Sequence, residues 1–219
     1  MKQPPPAQPA PPEARDRFGA ATPLAERYAG WLAGPGVERG LLGPREVDRI
    51  WPRHMLNCAV LEPYLPAGGS TCDLGSGAGL PGLVLALLRP AQPIVLLEPL
   101  LRRATFLEEV LVDLDLPAVT VVRARAEEYG RQHPEHATVV ARAVAPLDRL
   151  VGWAWPLLRP GGVLVAQKGA TAADELAAAA DTLDSHGAVD REILTLDEGG
   201  SVTHIIRVAR PLGSTAEDA

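Results

Sequence analysis

Asp73-Leu74-Gly75-Ser76-Gly77-Ala78-Gly79 lies between two apolar runs, and the reading of the whole chain turns on it. Residues 71–74 before it have the length of a buried strand, and residues 80–88 after it have that of a short helix. The stretch is therefore read as strand, tight loop and helix. Glycine serves such a loop twice: it turns through dihedrals that a Cβ forbids, and it lets a ligand approach the backbone. A dinucleotide loop spaces its glycines as G-x-G-x-x-G, with pyrophosphate at the helix N-terminus. Here the third glycine comes one residue early, and Asp73 stands two residues before the first.

Outward from the loop, the pattern repeats. Strands over 94–98, 119–123, 138–142 and 162–168 alternate with helices over 102–114, 147–158 and 172–186. Strands over 189–196 and 202–208 then flank Asp197-Glu198-Gly199-Gly200 as a hairpin. The alternation predicts a doubly wound, mostly parallel sheet, and the hairpin adds one antiparallel strand at its end. Upstream, helices over 22–32 and 44–61 are separated by Gly34-Pro35-Gly36. Tyr28 lies on the apolar face of the first, and His54 and Cys58 on that of the second. The expected divisions are a disordered Pro-rich tail over 1–17, a helical cap over 18–66, a cofactor-binding domain over 67–210 and a flexible tail over 211–219.

Composition narrows the function. A chain of 219 residues with 47% hydrophobic residues is globular and can bury a core without disulfides or metal. Lys+Arg 21 against Asp+Glu 27 gives a net charge of −6, so the protein does not coat nucleic acid unspecifically. Lys2 and Lys168 are the only lysines among the 21 basic residues, a bias of GC-rich coding that says nothing about RNA. Cys58 and Cys72 are 14 positions apart, a spacing that supports neither a zinc site nor a disulfide framework. Prolines interrupt the N-terminus, so no secretory signal is read there. The longest uncharged apolar run, 74–88, is shorter than the roughly 20 residues a membrane helix needs. A cytoplasmic protein without metal, expected as a monomer, is the reading.

Glu98 sharpens the ligand. It ends the second strand 19 positions past Gly79, about where a carboxylate accepts ribose hydroxyls. Asp73 can serve the loop's own amides or a ligand ammonium. Acid-rich edges suit a ligand with a ribose and an amino-acid end but no pyrophosphate, and S-adenosylmethionine is one.

At this point a resemblance becomes specific. Asp73-Leu-Gly-Ser-Gly-Ala-Gly-Leu-Pro-Gly82, Leu-Leu-Glu-Pro-Leu-Leu-Arg-Arg103, Ala-Arg-Ala-Glu-Glu128, Ala-Arg-Ala143 and Gln-Lys-Gly169 resemble the bacterial small-subunit ribosomal RNA guanine-N7 methyltransferase family, also called glucose-inhibited division protein B. Arg53-His54-Met55-Leu56-Asn57-Cys58 is similar to its Arg-His-x-Leu-Asp-Ser box, with Asn-Cys for Asp-Ser. An Asn-Leu-Thr element usual between the N-terminal helices is replaced by Gly40-Leu41-Leu42-Gly43. The resemblance covers roughly 45–210. It implies a class I methyltransferase fold and an enzyme acting on 16S rRNA in the small ribosomal subunit. It also implies that Gly75 and Leu80 line the cofactor site, that Glu98 holds the ribose and that Ala126-Glu127 flanks the adenine. Arg142 would face the cofactor near the methyl. The glycine loop adds Gly77.

The chemistry agrees. Methylating an exocyclic adenine nitrogen in this fold uses an Asn/Asp-Pro-Pro-aromatic loop, where this chain has Ala141-Arg142-Ala143-Val144-Ala145-Pro146. Carbon-5 methylation of a pyrimidine needs a nucleophilic Cys, and both thiols precede the glycine loop. Guanine N7 has an in-plane lone pair and no proton to lose, so its methylation rests on proximity and orientation. Arg142 and Lys168 are the catalytic candidates, and Arg53, His54, Arg102 and Arg103 the RNA contacts. His133, His136, His186 and His204 are read as surface or edge residues. Two other readings stay open: a nicotinamide oxidoreductase on a Rossmann fold, and a non-catalytic cofactor-binding module in ribosome assembly.

Overall fold

All four residues of Thr71–Leu74 (β1) are buried, as a strand inside a sheet covered on both faces requires. The structure, a computed structural model, describes residues 5–132, 136–198 and 201–213. Around β1 it builds a sheet from Ile94–Leu97 (β2), Val119–Val122 (β3), His136–Arg142 (β4), Leu158–Lys168 (β5), Val189–Glu198 (β6) and Ser201–Ala209 (β7). The order is β3-β2-β1-β4-β5-β7-β6. β1 pairs in parallel with both β2 and β4, while β7 runs antiparallel to β5 and β6. This is the expected doubly wound sheet with its terminal hairpin. Strand order reverses between β1 and β4, which leaves a crevice at their carboxyl ends.

Helices cover both faces. Pro12–Phe18 (α1), Thr22–Trp31 (α2) and Asn57–Ala59 (α3) pack with Gly82–Leu88 (α4) and Leu101–Leu114 (α5). Tyr28, Leu32, Met55, Leu83, Leu85 and Phe106 share one buried cluster there. Ala126–Gly130 (α6), Leu147–Ala154 (α7), Ala172–Ala178 (α8) and Ala180–Ser185 (α9) cover the other face. Leu147, Leu150, Val151 and Leu183 bury there against Cys72, Leu74 and Val139. Among the described residues, no helix is long and apolar enough to cross a membrane.

Four local readings change. Residues 12–17, expected in a disordered tail, belong to α1, where Pro12 suits the first turn and Ala14 and Phe18 are buried. Phe18 meets Trp51 edge-on, with ring centroids 6.2 Å apart. The segment 44–61 is not one α-helix. It passes from three-residue turns over Pro44–Arg49 to five-residue turns over Ile50–Leu56 and then to α3. Pro52 has no amide hydrogen and its ring opposes the carbonyl four residues back, so the helix widens there. The helix after the loop starts at Gly82, because residues 76–80 close their own turns on Ser76 O. The helix over 172–186 breaks at Ala179, where ψ is near zero, and both pieces bury a face through Ala172 and Leu183. His133, the hairpin turn at 199–200 and the tail over 214–219 lie outside the described residues.

Candidate cofactor cleft and substrate pocket

The loop needs its glycines for stated reasons. Gly75, Gly77 and Gly79 have φ of 72°, 58° and 97°. A Cβ on Gly79 would stand 2.4 Å from Leu83 Cδ1 and 2.9 Å from the Tyr28 hydroxyl. Tyr28 donates that hydroxyl to Ala78 O at 2.9 Å, so α2 holds the loop from behind. Asp73 is fully buried, and its Oδ2 accepts the Gly82 amide at 3.0 Å, tying β1 to the start of α4. Its Oδ1 is buried with no hydrogen-bond partner. Burial pushes its carboxyl up to about 7, against the opposing pull of the Gly82 amide.

Glu98 is 1% exposed at the end of β2. Its Oε2 accepts the Gly77 amide at 3.0 Å and its Oε1 accepts the Leu100 amide at 2.9 Å. Arg103 Nη1 lies 3.8 Å from Oε2. A carboxylate has about four acceptor positions, so two stay available to a ligand. Glu98 lines a cleft of about 680 Å³ with Gly75, Arg103, Ala126, Glu127 and Val144. That volume is in the range of sites for nucleoside-sized ligands. Glycine backbone on one side and a buried acid on another fit S-adenosylmethionine.

A second cleft, of about 850 Å³, opens on the other side of the β4 end. Arg49, Arg53, Asn57, Arg142, Gln167 and Lys168 line it, and it shares Ala143 and Val144 with the first. Ala143 has φ of 52°, a left-handed conformation that is costly for alanine and is held where the two clefts meet.

Arg142, the residue before Ala143, lines the second cleft and not the first. Its Nη1 donates to Cys58 Sγ at 3.0 Å, and its Nη2 faces His54 Nδ1 at 2.8 Å and Arg53 O at 3.3 Å. The Arg-His box thus forms a socket for Arg142.

Several expected placements change. His54, read as an RNA contact, is buried, and its Nε2 faces Glu46 Oε2 at 3.0 Å. Both ring nitrogens are engaged inside the protein. Arg103 faces Glu98 in the cofactor cleft, not an RNA surface. Arg102 is exposed on α5 and lines neither cleft. Leu80 packs against the core cluster, and Gly77 reaches the cofactor cleft only through Glu98. Lys168 donates to Ala145 O at 2.6 Å and pairs with Glu175 Oε2 at 2.7 Å, so it braces the β4–α7 loop. Sequence reasoning missed Glu46, Arg49 and Glu175. Arg49 carried a signal, four residues before Arg53 on a helical segment; the two acids carried none. Among the described residues, no cluster of His, Cys, Asp and Glu could hold a metal ion.

Sheet order, glycine loop and strand-end acid define the class I S-adenosylmethionine-dependent methyltransferase fold. Solved structures agree on the fold. The S-adenosylmethionine-dependent methyltransferase SibL in its apo form has a TM-score of 0.62 at 18% identity, over 84% of this chain and 62% of that one. Aeropyrum pernix fibrillarin with natively bound S-adenosyl-L-methionine has a TM-score of 0.54 at 20% identity, over 70% of this chain and 73% of that one. The family model described as rRNA small subunit methyltransferase G matches residues 21–206. Curated relatives called ribosomal RNA small subunit methyltransferase G are 56% identical in Streptomyces avermitilis and 54% in Streptomyces coelicolor. The first covers 87% of this chain and 80% of the relative, the second 91% and 84%. The chain belongs to the rRNA small subunit methyltransferase G family. That membership supersedes the nicotinamide and non-catalytic readings.

Proposed function

We propose that the protein transfers a methyl group from S-adenosylmethionine to N7 of a guanine in 16S rRNA of the small ribosomal subunit. The observation that carries this reading is the meeting of two clefts at Ala143 and Val144, beside Arg142. One cleft has the acid Glu98 and the Gly75 backbone that suit the cofactor; the other is lined by arginines that suit RNA phosphate and guanine O6. The names of the curated relatives support the RNA.

When bound, the cofactor supplies an electrophilic methyl on a sulfonium. In this reading Glu98 accepts the ribose hydroxyls with its two spare positions. Gly75 lets the ligand approach, Gly77 sets Glu98, and Ala126-Glu127 borders the adenine. Arg142 orients the guanine or the cofactor carboxylate where the clefts meet. N7 attacks with its lone pair and loses no proton, so no residue acts as a general base. Orientation then supplies most of the acceleration, for which well-aligned pairs gain roughly 7–11 kcal/mol. Arg53 contacts phosphate at the rim, and Lys168 keeps the β4–α7 loop in place. Residues 18–66 act as a cap on the 67–210 methyltransferase domain, and the enzyme works as a cytoplasmic monomer.

The test is transfer of labelled methyl from S-adenosylmethionine to small subunits lacking modification, followed by mass spectrometry of nuclease fragments. One N7-methylguanosine in 16S rRNA is expected. Label at another atom, or in the large subunit, overturns the reading.

A further inference from the structure

Arg142 is held by acceptors that all come from one segment: Arg53 O, His54 Nδ1 and Cys58 Sγ. One of the three depends on proton placement. An arginine is always a donor, so His54 Nδ1 must carry a lone pair to meet Arg142 Nη2 at 2.8 Å. The ring proton then sits on Nε2, which faces Glu46 Oε2 at 3.0 Å. Glu46 Oε2 also lies 3.1 Å from Arg53 Nε, a contact that aims the carboxylate at the ring. We propose that Glu46 and His54 are positioning residues for Arg142. Glu46 fixes the Nε2–H tautomer of His54, and the lone pair this leaves on Nδ1 sets the guanidinium in the wall of the substrate cleft.

The charges around the ring agree. Burial opposes a proton on His54 most strongly, Arg142 and Arg53 oppose it too, and Glu46 favours one; together they bring the pKa down to about 4. The ring is therefore neutral in the working range and acts as an acceptor towards Arg142. The wrong tautomer would point an N–H at the guanidinium and leave Arg142 one acceptor short. This inference rests on the reading that Arg142 serves methyl transfer.

Nitrogen-15 NMR of histidine-labelled protein reads the tautomer directly. His54 is expected to show a protonated Nε2 and an unprotonated Nδ1, and Glu46→Ala is expected to raise the Nδ1–H population. The opposite tautomer in the parent protein overturns the proposal whatever the kinetics show. On small-subunit particles, His54→Ala should lower kcat about tenfold or more, the effect of losing a hydrogen bond to a charged group, and change KM little. His54→Asn should recover most of that loss, since its Oδ1 can stand where Nδ1 stood. Adding Arg142→Ala to His54→Ala should cost no more than Arg142→Ala alone. Independent, multiplying losses, or an Asn variant as slow as the Ala variant, overturn the relay. An Arg142→Ala enzyme at full rate would instead remove Arg142 from the reaction, and the NMR arm would still decide the tautomer.

Discussion

Gly77 and Glu98 hold each other in the wall of the cofactor cleft: the Gly77 amide, behind the lining, donates to Glu98 Oε2 at 3.0 Å while the Leu100 amide donates to Oε1. The acid that should meet the ribose therefore also shapes the glycine loop. Glu98→Ala should weaken S-adenosylmethionine binding by about 1–3 kcal/mol, the cost of lost hydrogen bonds to a charged group. Calorimetry checks this, and a deoxyribose analogue isolates the ribose share. Parent and variant losing equal affinity for the analogue would show that Glu98 acts on the loop alone.

Tyr28 reaches the same loop from the opposite side, through its hydroxyl on Ala78 O. Tyr28→Phe leaves a buried carbonyl without its partner and should cost about 1 kcal/mol of stability. Cofactor affinity should fall with it, because the loop loses its rear support. Urea unfolding with and without S-adenosylmethionine measures both. Unchanged stability would mean that α2 packs on the loop without bracing it.

Asp73 links pH to stability. Its carboxyl is raised from 3.8 to about 7 by burial, so the folded state binds a proton that the unfolded chain releases. Its contribution is fully present below about pH 4 and is lost as pH rises through 7. Asp73→Asn keeps an acceptor for the Gly82 amide but has nothing to ionise. Between pH 5 and 8, the stability difference should move in favour of Asn by on the order of 3 kcal/mol. Urea melts at the two pH values measure it; a constant difference would mean that Asp73 is ionised throughout.

Lys168 divides a structural from a catalytic role. Its Nζ meets Ala145 O and Glu175 Oε2, and the same Glu175 oxygen accepts the Leu147 amide at 3.1 Å. Lys168→Met should cost about 1–3 kcal/mol, since it strands a carboxylate in a half-buried position. Adding Glu175→Gln should restore much of that, because Gln still accepts from Leu147 with no unpaired charge. Thermal melts of the four proteins close the cycle. Additive losses would place Lys168 outside the brace.

The sheet was legible because strand and helix periods differ, and because Gly75, Gly77 and Gly79 stand at positive φ, which glycine adopts without the strain other residues carry. The acid at Glu98 was legible from its distance to that loop. His54 was not, since one exposed and one buried histidine look alike on an apolar face. Its partner Glu46 lies eight residues away, on a helical segment whose pitch changes between Arg49 and Ile50, so no fixed period connects them. Lys168 and Glu175 come from a strand and the following helix, and only the fold puts them in contact. Residues 12–17 were misread because proline-rich composition hid the buried Ala14 and Phe18.

The rim of the substrate pocket carries the RNA prediction. Arg45, Arg49 and Arg53 are spaced four apart and all exposed, and the last two line the pocket. Arg53 is tied through Nε to Glu46 at 3.1 Å with about half its side chain still exposed. On a protein of net charge −6, such a ridge is a local source of counterion release. Each arginine that neutralises a phosphate should add about 0.7–0.9 to the salt slope of binding. Arg49→Ala and Arg53→Ala should each flatten the slope by that amount and raise KM for the particle, while Arg142→Ala should lower kcat more than it weakens binding. Because so few cations serve the site, a short hairpin carrying the target guanine should be methylated poorly. An intact or partly assembled small subunit adds folded RNA shape and single-stranded loops for contact. Equal rates on hairpin and particle at one fixed salt concentration would show that local sequence suffices and that the ridge recognises nothing larger.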